Sequence, residues 1–174
     1  METLVSKTIK LRLVLESDAE FIISLRNDER YNKHLSQTNG DVETQIQWIK
    51  EYKNKEKNKE EYYFIVERND GVPCGTVRLY DFNSESFCWG SWILNTEKTR
   101  YSAIESALLV YKYAFEELKF QRCHFDVRKD NIKVNQFHLK FGATKVGETG
   151  KDFLYEIYPD DVERMKVKYK KIVG

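Results

Sequence analysis

Apolar and polar residues alternate at the start of the chain. Residues 8–15 carry apolar side chains at positions 9, 11, 13 and 15, a spacing typical of a β-strand with one buried face. Ser17 and Glu20 follow at the spacing of a capping box, in which each side chain binds the other residue's free backbone amide. The pattern therefore predicts a strand followed directly by a helix that reaches Asp28.

A second helix is predicted after the polar residues 36–40, which have the composition of a loop. It begins near Asp41. Its apolar residues predict the stripe that faces the core, namely Val42, Ile46 and Ile49, with Trp48 and Tyr52 alongside. From residue 50 to residue 61 nearly every position is Lys, Glu or Asn. Because these charges nearly cancel, we interpret the stretch as a solvated helix end rather than a binding patch.

Four strands follow, with one long helix among them. Residues 62–68 and 74–80 flank an Asn-Asp-Gly sequence, which strongly indicates a β-hairpin turn. Residues 86–94 form a third strand with a glycine in the middle, where glycine often marks a bulge or a close backbone approach. Residues 122–128 form the fourth strand, after the helix.

The long helix is predicted over residues 102–118. It has two neighbouring apolar stripes, so its buried face is wide enough to lie on a sheet. A shorter helix over 132–141 and two closing strands, 144–148 and 152–158, come next. Pro159 and two aspartates then begin a basic C-terminal helix, since proline and acidic residues suit the first turn.

This order of elements predicts an α/β fold, with a mixed, mostly antiparallel sheet and one parallel crossover. The crossover strands are residues 86–94 and 122–128, joined by the long helix. Ligands in such sheets bind where neighbouring strands diverge at their carboxyl ends. That point lies between Leu94 and Arg128 and faces the N-terminus of the long helix, so it suits a phosphate-bearing ligand. No repeat or linker divides the chain, and we predict a single domain over residues 1–174.

Composition excludes several classes of protein. The chain is 41% apolar and 33% charged, which argues against long disorder. With 29 Lys and Arg against 28 Asp and Glu, its net charge is +1, so no global field indicates nucleic acid as a partner. No apolar run approaches the ~18 residues of a membrane span. The three cysteines, with no recognisable signal peptide, are interpreted as reduced thiols of a cytoplasmic protein.

Five short motifs carry a resemblance to a known family. They are Gly90-Ser91-Trp92-Ile93, Ala103-Ile104-Glu105-Ser106-Ala107, Tyr113-Ala114-Phe115-Glu116-Glu117-Leu118, Val127-Arg128-Lys129-Asp130-Asn131 and Phe141-Gly142-Ala143. In order and spacing, over about residues 9–158, the chain resembles the GNAT acetyltransferase superfamily. The resemblance implies the acyl-CoA N-acyltransferase fold and the transfer of an acetyl group from acetyl-CoA, as cosubstrate, to a primary amine.

The family's pyrophosphate loop has the pattern Arg/Gln-x-x-Gly-x-Gly/Ala. The resemblance implies that the corresponding residues bind the cofactor here: Lys98, Thr99, Arg100, Tyr101, Ser102 and Ala103. Of the two positions that are small in the family pattern, only that of Ala103 stays small, and Tyr101 replaces a glycine that lets backbone amides close on phosphate. Lys98 and Arg100 can compensate through charge-assisted contacts with phosphate, or they are simply solvated basic residues.

The resemblance implies further roles around the thioester. The strand end at Trp92, Ile93 and Leu94 would offer backbone amides to the thioester carbonyl, unless Trp92 is only a core aromatic. His138 occupies the position of a family tyrosine that protonates the leaving sulfur, as an imidazole can near neutral pH; otherwise it is a surface or core histidine. Asn131 matches a family asparagine that contacts the cofactor. Its alternative role is to cap the helix that follows.

The general base is left unassigned. Cys88 aligns with a frequent family glutamate, and we interpret it as a core residue, because no histidine follows at a spacing diagnostic of a thiol nucleophile. The carboxylates nearby in the sequence are Asp81, Glu85 and Asp126. We interpret each of them as structural or solvated rather than catalytic. The three histidines lack metal-ligand spacing, so no metal site is predicted.

Within the superfamily, Leu25-Arg26-Asn27-Asp28 and residues 44–49 are similar to two branches. One comprises ribosomal-protein alanine N-acetyltransferases, and the other acetylates amino sugars linked to nucleotides in surface-glycan synthesis. The resemblance implies that Arg26 and Asn27 contact the substrate, with a helix-end salt bridge as the alternative.

We therefore expect a small-molecule amine as substrate, in the first place an amino sugar on a nucleotide. Acetylation of a protein N-terminus or a small amine, and a degenerate non-catalytic fold, stay open. A basic or aromatic groove would favour a nucleotide diphosphate, and an acidic groove a basic peptide. A homodimer is common in this fold, and Trp89, Tyr155 and Tyr158 are the aromatic residues expected to be exposed for it.

Overall fold

The computed structural model describes residues 3–34 and 40–173, so four of the predicted loop residues, 36–39, lie outside the described part. In chain order the elements are β1 (Leu4–Val5), β2 (Ile9–Leu13), a 3-10 turn (Glu16–Asp18), α1 (Ala19–Arg26), α2 (Val42–Lys57), β3 (Tyr62–Arg68), β4 (Pro73–Tyr80), β5 (Ser86–Leu94), α3 (Ser102–Lys112) with a π-helical end (Tyr113–Glu117), β6 (Arg122–Arg128), α4 (Ile132–Lys140), β7 (Thr144–Glu148), β8 (Asp152–Ile157), α5 (Pro159–Lys168) and α6 (Lys170–Val173).

The strands form one sheet in the order β1-β2-β3-β4-β5-β6-β8-β7. Neighbouring strands are antiparallel except β5 and β6, which are parallel and are joined through α3. This confirms the predicted mixed sheet with one parallel crossover. The parallel pairing covers only Ser86 with Arg122 and Phe87 with Cys123, so the two strands separate soon after they begin.

The predicted hairpin between β3 and β4 is confirmed. Gly71 has a φ of 94°, a conformation that costs glycine little because it has no Cβ. The amide of Arg68 donates to the carbonyl of Val72 at 2.8 Å, and the amide of Gly71 donates back to the carbonyl of Arg68 at 2.8 Å.

The predicted capping box at Ser17 and Glu20 is wrong. A 3-10 turn precedes α1, and the carboxylate that closes it belongs to Asp18, which accepts from the amide of Leu15 at 2.8 Å. Arg12 on β2 donates two hydrogen bonds to the same carboxylate, at 2.8 and 2.9 Å. Because Arg12 pairs with Asp18, the carboxylate of Asp18 rather than that of Glu20 closes the turn before α1.

The buried stripe of α2 also differs from the prediction. Asp41 begins the helix as expected and accepts from the amide of Thr44 at 2.6 Å. The buried side chains are Gln45, Ile49 and Tyr52, whereas Val42 and Trp48 are exposed and Ile46 is half-buried. The core beneath α2 is small, so it covers only the middle turns of the helix. Trp48 lies outside this core, and its ring stacks on that of Tyr52 at a centroid distance of 5.8 Å.

The sheet has apolar side chains on both faces. The larger cluster lies under α3, α4 and α5 and includes Phe87, Tyr111 and Phe125; the smaller cluster lies under α1 and α2. The long helix, predicted as one regular helix to residue 118, changes to π-helical geometry at Tyr113.

The expected exposure of aromatic residues for a dimer is wrong for two of the three. Trp89 is 5% exposed because it donates to the hydroxyl of Tyr111 at 3.0 Å in the core. Tyr155 is 1% exposed because it stacks on Phe125, and only Tyr158 lies at the surface. Among the described residues, none of the helices has the length and apolar character that crossing a membrane requires.

Candidate active site

A cavity of about 610 Å³ opens where β5 and β6 separate. Leu94 and Arg128 both line it, as expected from topology, whereas residues 98–103 at the N-terminus of α3 are not among its lining residues; that a ligand binds here stays a prediction. The cavity is bordered from both faces of the sheet. Trp92 marks the α3 face, since its indole donates to the hydroxyl of Ser106 at 3.1 Å, and Arg78 marks the α2 face, since it lies over the ring of Trp48 at 5.8 Å.

A bulge in β5 lies where the two strands have separated. Ser91 has a φ of 46°, and its carbonyl accepts from the hydroxyl of Thr76 on β4 at 2.8 Å. The pairing of β4 with β5 shifts register here, next to Gly90, as the mid-strand glycine predicted. Beyond the bulge, Ile93 and Leu94 pair with β4 on one edge. Their other edge faces the cavity because β6 has turned away.

His138 lies on the α3 side of the cavity, within an aromatic cluster. Its ring centroid is 4.3 Å from that of Phe125 and 5.5 Å from that of Trp89, and the side chain is 5% exposed. Burial lowers the pKa of His138 to about 3, because the charged imidazolium would lose its hydration. The imidazole is therefore neutral near pH 7. The role of His138 in the reaction stays a prediction. In that role the neutral ring would donate a hydrogen bond to the leaving sulfur.

The residues of the predicted pyrophosphate loop lie around the N-terminus of α3. Lys98 and Arg100 are exposed, and the guanidinium of Arg100 lies 5.2 Å above the ring of Tyr101. Thr99 and Ser102 bond through their hydroxyls at 2.7 Å. Tyr101 stands at the N-cap position and makes no side-chain cap hydrogen bond, so its side chain does not satisfy the amides of the first turn.

Sequence reasoning missed Glu105, which follows Ala103 in the first turn of α3. This carboxylate is 1% exposed and accepts from the hydroxyl of Ser6 at 2.9 Å and from the amide of Thr8 at 2.7 Å. The hydroxyl of Thr8 also bonds Glu105 and, at 2.7 Å, Thr99. Glu105 therefore fixes the helix N-terminus to the residues that precede β2. The only signal in the sequence is an acidic residue in a first helical turn.

Asn131 lines the cavity, and its side chain does not cap α4, so the capping alternative is wrong. The neighbouring Asn135, which the sequence did not single out, performs the local structural role. Its side chain donates to the carbonyls of Arg128 and Asn131 at 2.9 Å each and accepts from the hydroxyl of Tyr155 at 2.5 Å.

Of the two residues expected to contact substrate, Arg26 lines the cavity and Asn27 does not. Asn27 ends α1 and donates to the carbonyl of Gly40 at 3.4 Å, so it connects α1 to the residue before α2. Arg26 lies beside Tyr63. Burial raises the pKa of the Tyr63 hydroxyl, and the charge of Arg26 opposes that rise.

Three more arginines line the cavity, of which the sequence had singled out only Arg128, as a boundary of the site. Arg78 on β4 lies 4.4 Å above the ring of Tyr80, and its guanidinium is 3.3 Å from the carboxylate of Glu61. Arg30 bonds Asp28 at 2.7 Å and is well exposed. Four arginines thus line this wall of the cavity, two of them paired with carboxylates, and Tyr31 and Tyr80 are its aromatic residues.

The carboxylates considered as bases lie in different places. Asp81 bonds His124 at 2.8 Å, and Glu85 is exposed in the turn before β5; neither lines the cavity. Asp126 lines it, together with Asp152, which the sequence did not indicate.

Cys88 is 4% exposed, and burial raises the pKa of its thiol to about 12, which confirms it as a core residue. Cys74 and Cys123 are likewise buried and unpaired. Within residues 3–34 and 40–173, no three His, Cys, Asp or Glu side chains converge on a point where they could hold a metal ion.

Comparison with known proteins identifies relatives of this chain. The family described as "Acetyltransferase (GNAT) domain" matches residues 8–144. A structure titled "Apo FdhC- a nucleotide-linked sugar GNAT" is 50% identical, covers 99% of each chain and superposes with a TM-score of 0.92. The "Probable N-acetyltransferase YjcK" of Bacillus subtilis is 29% identical over 81% of this chain and 83% of its own. A ribosomal-protein-S5-alanine acetyltransferase from Vibrio fischeri, at 17% identity, shares the fold over 92% of this chain and 98% of its own, with a TM-score of 0.79.

Proposed function

The chain belongs to the GNAT acetyltransferase family, and we propose that it transfers an acetyl group from acetyl-CoA to a primary amine on a nucleotide-linked sugar. One observation carries the choice of acceptor. The cavity wall on the α2 side holds Arg26, Arg30, Arg78 and Arg128. A guanidinium group can donate two parallel hydrogen bonds to the oxygens of one phosphate. This wall therefore suits a diphosphate better than a basic peptide. The relative at 50% identity, described as a nucleotide-linked sugar GNAT, supports the same choice.

The aromatic residues of the wall support a nucleotide as well. Arg78 stacks on Tyr80 at 4.4 Å, and Trp48, 37% exposed, extends the same surface away from the cavity. A nucleobase has a flat apolar face that packs on such rings, while its diphosphate meets the charges beside them.

The groups around α3 and β5 fit acetyl-CoA. The first turn of α3 has amides that its N-cap side chain leaves free, and Lys98 and Arg100 stand exposed beside it. Backbone amides at a helix N-terminus and two cations suit a diphosphate. The free edge of Trp92, Ile93 and Leu94 faces the cavity and can donate to the thioester carbonyl, where negative charge develops during transfer.

We expect Lys98 and Arg100 to replace the missing loop glycines in acetyl-CoA binding. Changing each to Ala should weaken acetyl-CoA binding by roughly 5- to 10-fold, because each removes one charge-assisted phosphate contact, worth about 1–1.5 kcal/mol. Isothermal titration calorimetry with acetyl-CoA measures the effect. Lys170→Ala, at the far C-terminal helix, is the matched control for loss of a surface charge. An unchanged affinity in both loop variants would contradict their assigned role.

The proposed acceptor is tested with a panel of amines. Nucleotide-linked amino sugars, the same amino sugars without the nucleotide, spermidine and a peptide with a free N-terminus are each supplied with acetyl-CoA. We expect kcat/KM to be at least about 10-fold higher with the nucleotide than without it, since the arginines can bind only the linked form's diphosphate. Arg78→Gln should reduce this ratio. Preference for the peptide or for spermidine would overturn the proposed substrate.

A further inference from the structure

Asp126 lies on the face of the sheet from which the acceptor would enter. Phe125 and Val127, its neighbours on β6, are buried, and side chains alternate between faces along a strand. Asp126 therefore points away from the core under α3. Its charge acts on the hydroxyl of Tyr80, the residue that stacks on Arg78 on the α2 side. The carboxylate and the arginine wall thus share one face.

The reacting thioester would lie just beyond Asp126. Ser86 and Phe87 pair in parallel with β6, and continuing that register brings Gly90 level with Asp126 where the strands separate. A Cβ on Gly90 would come within 3.0 Å of the Tyr80 hydroxyl, so β5 presents only backbone toward this face. An amine that enters from this face and approaches the free edge of Trp92 to Leu94 would come close to Asp126, which lines the same cavity.

The carboxylate of Asp126 has no ion pair with a lysine or arginine in the described part of the chain, and His124 is the one favourable charge beside it. On β8, Asp152 pairs with Arg128, two residues along β6, so the two aspartates share a face and are diagonal neighbours. They are the two carboxylates among the cavity-lining residues. A cationic amine would supply the missing positive charge.

We propose that Asp126 is the general base of the transfer and that Asp152, its diagonal neighbour across the β6–β8 pair, is a positioning residue. The inference rests on the proposed function for the identity of the amine. Asp126 takes one proton from the acceptor ammonium. The amine nitrogen then attacks the thioester carbon, so that a C–N bond forms and the C–S bond breaks. The thiolate takes up the second proton lost by the nitrogen, and the proton on Asp126 leaves to solvent.

The local charges are consistent with this role. Partial burial and the charge of Asp152 raise the pKa of Asp126 above its ordinary value, and a higher pKa makes a carboxylate a stronger base. The other titratable or charged groups around it are His124 and Arg128 on β6, Tyr80 on β4 and Cys88 on β5. Because burial raises the pKa values of both Tyr80 and Cys88, neither ionises near neutral pH.

The test compares Asp126→Asn with the wild type across pH. We expect kcat to fall roughly 100-fold at pH 7, as for loss of a general base, with acetyl-CoA affinity unchanged by calorimetry. The acid limb of the wild-type kcat/KM profile should be replaced in the variant by one at the higher pKa of the free amine, because only the deprotonated amine can then attack. Asp152→Asn should move the acid limb to lower pH, because removal of a like charge lowers the pKa of Asp126.

Glu85→Gln is the matched control, since this exposed carboxylate lies outside the cavity and its loss should leave kcat unchanged. Wild-type kcat together with an acid limb at the wild-type pH in Asp126→Asn would overturn the assignment. The comparison uses whichever amine of the panel the wild type acetylates. If that amine is a peptide or spermidine, the proposed substrate fails while Asp126 is still tested. Turnover of no amine at all would contradict both.

Discussion

Gly75→Ala should destabilise the protein by about 3 kcal/mol or more and lower its Tm by roughly 10 °C. Gly75 on β4 pairs with Leu94 at the end of β5. A Cβ at this position would lie 2.1 Å from the carbonyl oxygen of Ile93, which belongs to the backbone and cannot rotate away. Either β5 moves or the strand pair opens at the segment that we assign to the thioester.

The matched control is Gly150→Ala, in the turn between β7 and β8, where a Cβ would meet no atom within 4 Å. Thermal unfolding should separate the two variants clearly, with Gly150→Ala close to the wild type. Because Gly75→Ala displaces Ile93, we also expect weaker acetyl-CoA binding in that variant at temperatures where it is folded. Equal Tm values for Gly75→Ala and the wild type would show that β4 and β5 do not approach this closely.

His138 should make the protein sensitive to acid. The ordinary pKa of histidine is 6.5, and burial lowers that of His138 to about 3 in the folded protein. As pH falls below 6.5, the unfolded chain binds a proton that the folded chain excludes, so the free energy of unfolding decreases. Each pH unit contributes about 1.4 kcal/mol, which gives about 3 kcal/mol between pH 6.5 and pH 4.

His138→Phe isolates this effect because it keeps an aromatic ring among Phe125, Trp89 and Phe137 but cannot bind a proton. Urea unfolding of both proteins from pH 4 to pH 8 is the measurement, and subtraction of the two curves cancels the remaining titrating groups. We expect the difference in unfolding free energy to be constant above pH 7 and to shift in favour of the variant by about 3 kcal/mol at pH 4. Parallel curves would mean that His138 is hydrated.

The same variant tests the predicted role of His138 in the reaction. If its neutral ring donates a hydrogen bond to the leaving sulfur, His138→Phe should lower kcat roughly 100-fold with little change in acetyl-CoA affinity. Unchanged turnover would remove His138 from the mechanism and leave it as a core residue.

Much of the fold could be predicted from local patterns. The alternating runs predicted β3, β5 and β6 with the bounds that the structure has, and the Asn-Asp-Gly turn predicted the hairpin. Strand periodicity and turn chemistry are properties of neighbouring residues, so they are readable without the tertiary structure. The single crossover then placed the cavity between Leu94 and Arg128, because the carboxyl ends of the two parallel strands can be located from the order of elements.

The composition of the site depended on contacts that local sequence does not encode. Glu105 reaches Thr8, 97 residues away, and Asp126 meets Asp152 only through the register of β6 with β8. Burial likewise decided that His138 is neutral and Cys88 inert, since desolvation depends on every element packed around a group. The sequence by itself determined most of the elements, their order and the place where the sheet opens into a cavity. Only the tertiary structure decided which charges line that place, because side chains far apart in the chain are brought together by the packing of the sheet.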